Sequence, residues 1–310
     1  MNFPGRLLTI FLILGTAGIL MAALIGYATW EASTYRITVL VDRDAPEGIV
    51  FISDPHVRPE NINQVKEIIK EINRLQPSVV LIGGDFLYGS MEDPTYLEIW
   101  REIDAPVYGV LGNHDYLTGI KGSGARGRIA WILESILRSR GGDTHLFYST
   151  NPDLASANLL ERIVEKNGIR VLRNEAIDLT LNGTRTIIVG VDDIWAGRAY
   201  PPSIPDTDAY TIYLVHEPLV REEWTPDLVL SGHTHGGQIN HALFSVLDQL
   251  DIVDIRGLSW EEETPLYISR GIGTSTLRHE YRFYTPPEIV VINPSDEPRA
   301  GWTIVSVSSR

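Results

Sequence analysis

Residues 231–238 read SGHTHGGQ, which places His233 and His235 one residue apart between one glycine and a pair of glycines. Histidine is scarce in this chain, at eight of 310 residues, so a pair at this spacing is a candidate for function. A metal site, a catalytic base with its partner and an ordinary polar loop all fit this short stretch. The rest of the sequence has to separate them.

Five apolar runs of the sequence are followed by the same class of side chain. They are GIVFIS (48–53), followed by Asp54 and His56; SVVLIG (78–83), followed by Asp85; PVYGVLG (106–112), followed by Asn113, His114 and Asp115; YTIYLV (210–215), followed by His216; and DLVLSG (227–232), followed by His233 and His235. Each motif alone is typical of a turn or a solvated loop. Because ligands in α/β proteins bind outside the carboxyl ends of strands, the repetition predicts one dinuclear metal site.

The local backbone also bears on this site. Asp54 precedes a proline, which biases it toward an extended conformation, and in an extended stretch residues i and i+2 point to one side. Asp54 and His56 are therefore expected to reach one ion together. With no cysteine in the chain, the available ligands are His, Asp, Glu and Asn. This ligand set favours Mn, Zn or Fe, so two divalent ions of this kind are the expected cofactors.

Short apolar runs and helical periodicity indicate the fold class. Runs rich in Val and Ile predict strands at 35–41, 48–53, 78–83, 106–112, 186–191, 210–215, 227–232, 265–270, 287–292 and 302–307. Apolar residues at helical spacing predict helices at 62–75, 129–138 and 154–166. Strand–helix alternation followed by closely spaced strands is typical of a mixed α/β fold, here with a single catalytic domain over 35–310.

The first part of the chain has a different composition. Residues 7–30 carry no charge, and Arg6 and Glu31 bound them. Such a run is long enough to cross a hydrocarbon core of roughly 30 Å as a helix, which predicts a retained membrane anchor over residues 1–34. A cleaved signal peptide is the alternative. The Lys/Arg bias across the run is small, and it slightly favours a catalytic domain outside the cytoplasm.

The negative net charge of the chain restricts which molecules it is expected to bind. The net charge of −14 repels the phosphates of nucleic acids, so no nucleic-acid partner is expected. The expected partners are the bilayer, through residues 7–30, and a phosphoester substrate. KGSGARGR (121–128) carries Lys121, Arg126 and Arg128, which are candidate contacts to a phosphate or headgroup. An ordinary solvated loop explains this stretch equally well.

The ordered series D-x-H (54–56), G-D (84–85), G-N-H-D (112–115), His216 and G-H-T-H (232–235) resembles the calcineurin-like metallophosphoesterase family. GHTHGGQI (232–239), GVDD (190–193), SRGIGTS (269–275) and PPEIVVI (286–292) resemble one branch, the single-span or exported bacterial and archaeal enzymes. Some members of that branch resemble UDP-2,3-diacylglucosamine pyrophosphate hydrolases. The resemblance implies an α/β/β/α sandwich of four layers with two metals at the carboxyl ends of its strands.

The resemblance also implies roles for individual residues. Asp54, His56 and His235 would hold one metal, Asp85 would bridge, and Asn113, His216 and His233 would hold the second. His114 would protonate the leaving oxygen or stabilise charge, and Asp115 would orient a neighbour. The implied reaction is in-line attack of a metal-bridging hydroxide on a phosphodiester or pyrophosphate.

Two differences from other branches of the family, together with the predicted anchor, indicate which substrates are expected. GDFLYGS (84–90) lacks the further acid of the protein-phosphatase branch, and Tyr88 has the offset of a tyrosine ligand in the purple-acid branch without its other signatures. Tyr88 is therefore expected to be a loop residue. The anchor favours a lipid-linked or cell-envelope substrate. A cytoplasm-facing UDP-2,3-diacylglucosamine-type pyrophosphatase, a nuclease and a non-catalytic metal-binding scaffold are the alternatives.

Overall fold

The computed structural model of the chain describes residues 3–309, except 90, 92, 120–150, 206, 222, 239–254, 262, 276–279 and 296–302. For 3–12 and 306–309 it describes the backbone alone. The helices in these residues are α1 (Phe3–Ser33), α2 (Ile62–Leu75) and α3 (Leu154–Lys166), with 3₁₀ segments at Pro94–Glu102 and His235–Gly237. The predictions at 62–75 and 154–166 are confirmed. The helix predicted at 129–138 falls outside the described residues, as do Lys121, Arg126 and Arg128.

The described strands form two sheets. They are β1 (Arg36–Asp42), β2 (Ile49–Ile52), β3 (Val79–Ile82), β4 (Val107–Gly109), β5 (Ile169–Val171), β6 (Glu175–Leu181), β7 (Thr184–Gly190), β8 (Tyr210–Val215), β9 (Leu228–Ser231), β10 (Gly257–Glu261), β11 (Thr264–Ile268), β12 (Glu288–Pro294) and β13 (Thr303–Ser309). The first sheet has the order β13-β1-β12-β2-β3-β4-β5 and the second β10-β11-β9-β8-β7-β6. All the predicted strands are present. The sequence patterns missed β5, β6 and β10, which have few buried residues or alternate weakly.

Parallel pairing aligns the strand ends that matter for function. In the first sheet, β2, β3 and β4 are parallel neighbours in which Ile52 pairs with Ile82, and Ile82 with Gly109. In the second sheet, β8 and β9 are parallel, and Val215 pairs with Ser231 at their carboxyl ends. The loops that follow these strands therefore leave each sheet at one edge.

The two sheets pack face to face. Phe51 and Leu81 of the first sheet share one buried cluster with Ile212 and Leu230 of the second. Burying these aliphatic and aromatic side chains removes apolar surface from water, which stabilises the sandwich. The sequence pattern of a mixed α/β fold is confirmed.

Different elements cover the two outer faces. Helices α2 and α3 lie on the outer face of the first sheet, where Ile68 and Leu160 join its buried cluster. On the outer face of the second sheet, Tyr213 and Val229 pack against Ala199 and Trp224 from the connecting loops.

Helix α1 projects from the rest of the chain and then docks on it. Its side chains from Ile13 to Gly26 are exposed, whereas Glu31 and Ala32 are buried. In the part of the chain that the structure describes, Ile13–Ser33 is the one helical stretch long and apolar enough to cross a membrane, by length and composition, and a signal sequence has the same properties. Only residues 34 and 35 separate α1 from β1, so little slack exists between them.

Candidate metal centre

The structure brings all seven predicted ligands together at the carboxyl ends of β2, β3, β4, β8 and β9. His233 is partly exposed, and the other six are buried: Asp54, His56, Asp85, Asn113, His216 and His235. Three groups of His and Asp have ligand atoms within 4.8 Å of one another; two consist of predicted ligands alone, and the third adds His114 to His56 and Asp85. The clustering follows from the parallel strands, although the function of each residue as a ligand stays a prediction.

The first group centres on two facing histidines. His56 Nδ1 lies 3.0 Å from Leu87 O and His235 Nδ1 lies 3.0 Å from Gly273 O, so each Nδ1 donates its proton to a carbonyl. The Nε2 atoms of His56 and His235 lie only 3.0 Å apart, and Asp54 Oδ1 lies 3.5 Å from His235 Nε2.

Burial lowers the pKa of His56 to about 3 and that of His235 well below its ordinary value. Both rings are therefore neutral at physiological pH, and each Nε2 presents a lone pair rather than a proton. Two lone pairs at 3.0 Å repel each other unless a cation lies between them. This arrangement fits a metal ion better than a hydrogen bond.

The second group gathers two histidines around the side-chain oxygen of Asn113. His216 Nδ1 lies 2.7 Å from Gly83 O, which turns its Nε2 toward Asn113 Oδ1 at 3.2 Å. His233 Nδ1 lies 3.0 Å from the same oxygen and 3.3 Å from His216 Nε2. Asn113 donates through Nδ2 to Thr118 O at 3.0 Å, which fixes the oxygen rather than the nitrogen toward the histidines.

Asp85 lies between the two groups. Its Oδ2 is 3.5 Å from His56 Nε2 and 3.2 Å from His216 Nε2, while its Oδ1 accepts the His114 backbone N–H at 2.9 Å. Burial opposes the charged forms, but the attraction between Asp85 and His216 outweighs it. This attraction holds the pKa of Asp85 well below its usual range and raises the pKa of His216 well above the usual value for histidine.

At Asp54 burial outweighs the attraction of its cationic neighbours, unlike at Asp85. Burial raises its pKa to about 6, and the charge of Asp85 adds to the rise while His216 opposes it. His233 N donates to both carboxylate oxygens at 3.0 Å, and Ser53 Oγ donates to Oδ2. A cation beside Asp54 would offset the burial of its charge, so its surroundings also fit a metal.

The backbone at the site differs from the sequence expectation. Asp54 is left-handed, with φ of 50°, so the prediction of an extended backbone there is wrong. Left-handed φ values also occur at His56, Asp85, His233 and His235. Non-glycine residues adopt this region at a cost that surrounding contacts must offset. The D-x-H loop supplies such contacts, because Asp54 N donates to Gly84 O at 3.1 Å and His56 N to Asp85 O at 3.0 Å.

His114 and Asp115 directly follow Asn113 but lie in different surroundings. The His114 ring is partly exposed, with its centroid 5.0 Å from that of His56 and 4.9 Å from that of Tyr88. Its ring nitrogen lies close enough to His56 and Asp85 for geometry alone to allow it as a ligand. Asp115 is buried, and burial raises its pKa to about 7.

Asp115 does not contact the His114 ring. Its carboxylate accepts backbone N–H groups from Gly112 at 2.9 Å and from Phe86 and Leu87 at 3.2 Å. It therefore ties the Asp85 loop to the loop that carries His114. The expectation that Asp115 orients a neighbouring side chain stays a prediction. Tyr88, expected as a loop residue, lies in a loop at the rim of the site and is 42% exposed.

The sequence patterns missed two residues that support the site. The Trp195 ring packs edge-on against His233, with centroids 4.3 Å apart. Glu217 holds the Trp195 loop, since its carboxylate accepts Ile194 N at 3.1 Å and Trp195 N at 3.4 Å. An acid directly after His216 was the available signal for Glu217. The GVDD motif (190–193) marked the loop that carries Trp195, but nothing in that motif singled out the tryptophan.

Gly112 marks a close approach that a larger residue cannot make. A Cβ there would overlap Asp85 Oδ1 and lie 2.7 Å from both Asp85 N and His216 Cε1. Gly112→Ala is therefore expected to lower kcat/KM by about 10²-fold, since displacing catalytic groups by about 1 Å has effects of this size. Gly119→Ala is the matched control, because its added Cβ meets none of the described residues within 4 Å. Equal kcat/KM values for both variants on a soluble phosphodiester would contradict this prediction.

Comparison with known proteins agrees with this geometry. The family model for calcineurin-like phosphoesterases matches residues 48–237, which contain all seven predicted ligands and His114. The chain belongs to this family. It is therefore a metal-dependent phosphoric ester hydrolase, and its clustered residues are compatible with the family's dinuclear metal site.

Three curated relatives are similar over most of their length. An uncharacterized metallophosphoesterase of Aquifex aeolicus is 26% identical, covering 88% of this chain and 96% of the relative. The phosphodiesterase YaeI of Escherichia coli is 26% identical, covering 85% and 87%. The UDP-2,3-diacylglucosamine pyrophosphatase LpxG of Chlamydia trachomatis is 30% identical, covering 81% and 84%. The resemblance to this bacterial branch is thereby confirmed.

Proposed function

We propose that this chain is a membrane-anchored phosphoesterase with two metal ions, which hydrolyses a phosphodiester or pyrophosphate bond of a lipid-linked or cell-envelope substrate. The observation that carries the chemistry is the pair of facing Nε2 lone pairs on His56 and His235, joined through Asp85 to the His216 group. The anchor rests on the exposed apolar helix α1. Residues 35–310 form a single catalytic domain in this proposal.

In this proposal the predicted ligands, His114 and Asp115 have separate functions. Asp54, His56 and His235 would hold one ion, Asn113, His216 and His233 would hold the other, and Asp85 would serve both. Bound divalent ions lower the pKa of water and neutralise charge on a phosphoryl group. His114 lies at the rim, and burial lowers the pKa of its ring. The negative charge of a bound phosphate would favour the protonated ring that can serve the leaving oxygen. Asp115 joins the loop of Asp85 to the loop of His114, because its carboxylate accepts three backbone N–H groups.

Hydrolysis of a small diester tests the reaction. The full chain in detergent micelles is stripped of metal with a chelator and then assayed on bis-p-nitrophenyl phosphate with Mn, Zn or Fe added singly. Turnover should require one of these ions and return when it is restored. Turnover that is equal in the chelator, or absent with all three ions, would contradict the proposal. Plasmid and single-stranded DNA under the same conditions should stay intact, which separates this function from a nuclease.

The similarity to LpxG favours one specific substrate class as a second candidate. That relative is a UDP-2,3-diacylglucosamine pyrophosphatase, and it matches 81% of this chain. For this substrate the site would face the cytoplasm, where nucleotide-linked lipids are made. Release of UMP from the nucleotide lipid, compared with cleavage of a phospholipid diester in the same vesicles, distinguishes the two. A topology map with reporter fusions then tests which side the site faces.

Metal binding is expected to release a proton near neutral pH. Burial opposes the charged form of His216, but Asp85 raises its pKa well above 6.5, so the metal-free site holds this proton. The proton must leave before Nε2 can bind a cation, and affinity therefore rises with pH up to the pKa of His216. One proton corresponds to about a tenfold change in the dissociation constant per pH unit. Calorimetric titration with Mn²⁺ in buffers of different ionisation enthalpy checks this, and pH-independent affinity without buffer-dependent heat would contradict it.

A further inference from the structure

Four aromatic residues meet where α1 joins the catalytic part of the chain. Tyr27 of α1 lies 5.8 Å from Trp30, 5.3 Å from Phe283 and 5.8 Å from Tyr284 between ring centroids. We call these four residues the junction cluster. Trp30 is 60% and Tyr284 61% exposed, so the cluster presents aromatic surface outward.

The junction is held by hydrogen bonds as well as by ring contacts. Arg282 N donates to Ala28 O at 3.1 Å, and Tyr284 N donates to Glu31 Oε2 at 2.6 Å. Gln64 Nε2 also donates to Ala32 O. The last turns of α1 are thus fixed to the 281–285 segment rather than tethered by a loose linker.

The same segment supports the metal centre. The buried Arg282 guanidinium donates to Arg270 O at 2.8 Å and also to Gly273 O, the carbonyl that contacts His235 Nδ1. Thr285 Oγ1 donates to His235 O at 3.1 Å. The position of α1 is therefore linked through this short segment to a predicted ligand.

The rim of the site adjoins the junction too. Arg58 pairs with Glu280 on one side and lies 5.8 Å over the Tyr88 ring on the other. Tyr88 in turn neighbours His114. Three side chains, Glu280, Arg58 and Tyr88, therefore connect the segment beside the junction to His114.

Helix length fits a bilayer boundary at this cluster. Residues 7–26 are uncharged and precede Tyr27, and at a rise of about 1.5 Å per residue they span about 30 Å. This length matches a hydrocarbon core of roughly 30 Å. Tyr and Trp are enriched at the membrane–water interface, where a ring can be buried while its polar atom stays hydrated.

We propose that the junction cluster lies in the membrane–water interface and holds the site rim beside the lipid headgroups. The inference rests on the proposed function, because it requires α1 to be in the bilayer. It deepens that function by assigning the lipid surface as a second, fixed contact of the catalytic domain. A substrate phosphate at headgroup level would then reach the site without leaving the membrane.

Site-directed spin labels test this directly, because the chain has no cysteine. Single variants Tyr284→Cys, Trp260→Cys and Leu20→Cys of the full chain are labelled and placed in vesicles of phosphatidylcholine and phosphatidylglycerol. Trp260 is the matched aromatic control, 51% exposed, and it pairs with Pro265 near the start of β11, away from the carboxyl strand ends. Leu20 reports on the span. Turnover of a soluble diester confirms that each labelled chain is folded.

The expected result is a ratio of oxygen to nickel-chelate collisions that is several-fold higher at 284 than at 260 and highest at 20. Equal, water-like ratios at 284 and 260, with a lipid-like ratio at 20, would overturn the inference while leaving the anchor intact. A water-like ratio at 20 would overturn the anchor and the inference together. The diester assay reports separately on whether the chain is a phosphoesterase.

Discussion

Asp85→Asn is expected to lower kcat/KM for a phosphodiester by about 10²–10³-fold, the size of effect found when a group that stabilises transition-state charge is removed. Asp85 is the one carboxylate whose Oδ2 lies within 3.5 Å of a histidine from each group of the described site. The amide has no charge to attract two cations, so both positions should weaken together. Its remaining oxygen can still accept the His114 N–H, which preserves the local backbone.

Metal content measured by mass spectrometry, alongside the rate, shows whether the loss has this origin. Asp178→Asn is the matched control, because Asp178 is an exposed carboxylate on β6 that pairs with Arg185 at 2.6 Å. The control should keep two metals per chain and unchanged turnover. Full turnover in Asp85→Asn would show that this carboxylate is not shared between two ions.

His114→Ala is expected to keep both metals and still lose activity by about 10²–10⁴-fold on an alkyl phosphodiester, as removal of a general acid does. The defect should be much smaller on a p-nitrophenyl diester, because p-nitrophenolate leaves without protonation. This dependence on the leaving group separates proton donation from a general disturbance of the site.

The same variant decides between two functions of His114. Its ring nitrogen lies near ligand atoms of His56 and Asp85, so it also satisfies the distance requirement for a metal ligand. A ligand would take one metal with it when replaced and would slow all substrates alike. Loss of one metal per chain in His114→Ala, with an equal defect on both leaving groups, would rule out the proton-donor function.

Much of the fold and the clustering of the site could be predicted from local patterns. Apolar runs mark the buried strands, and parallel pairing makes the residues after β2, β3, β8 and β9 converge. Asp54 and His216 are 162 positions apart in the chain, yet their location after a strand was sufficient to group them. The strand pattern carries this information because side chains beyond a strand end share one edge of the sheet.

Features that depend on contacts between loops could not be predicted. The left-handed backbone at Asp54 is stabilised by hydrogen bonds to the Gly84–Asp85 loop, which a proline rule for neighbouring residues does not contain. The support of His233 by Trp195 and the docking of Glu31 on Tyr284 N are likewise tertiary contacts. Such contacts override local preferences because the folded state fixes them together.

Metal stoichiometry against turnover tests the central claim most directly. The full chain is stripped of metal, loaded in steps with Mn²⁺, and assayed on the soluble diester while the bound metal per chain is measured at each step. Two ions held around a shared Asp85 predict no turnover at zero metal and full turnover only as bound metal approaches two per chain. Full turnover in excess chelator, or a plateau of both binding and rate at one ion per chain, would contradict a dinuclear phosphoesterase.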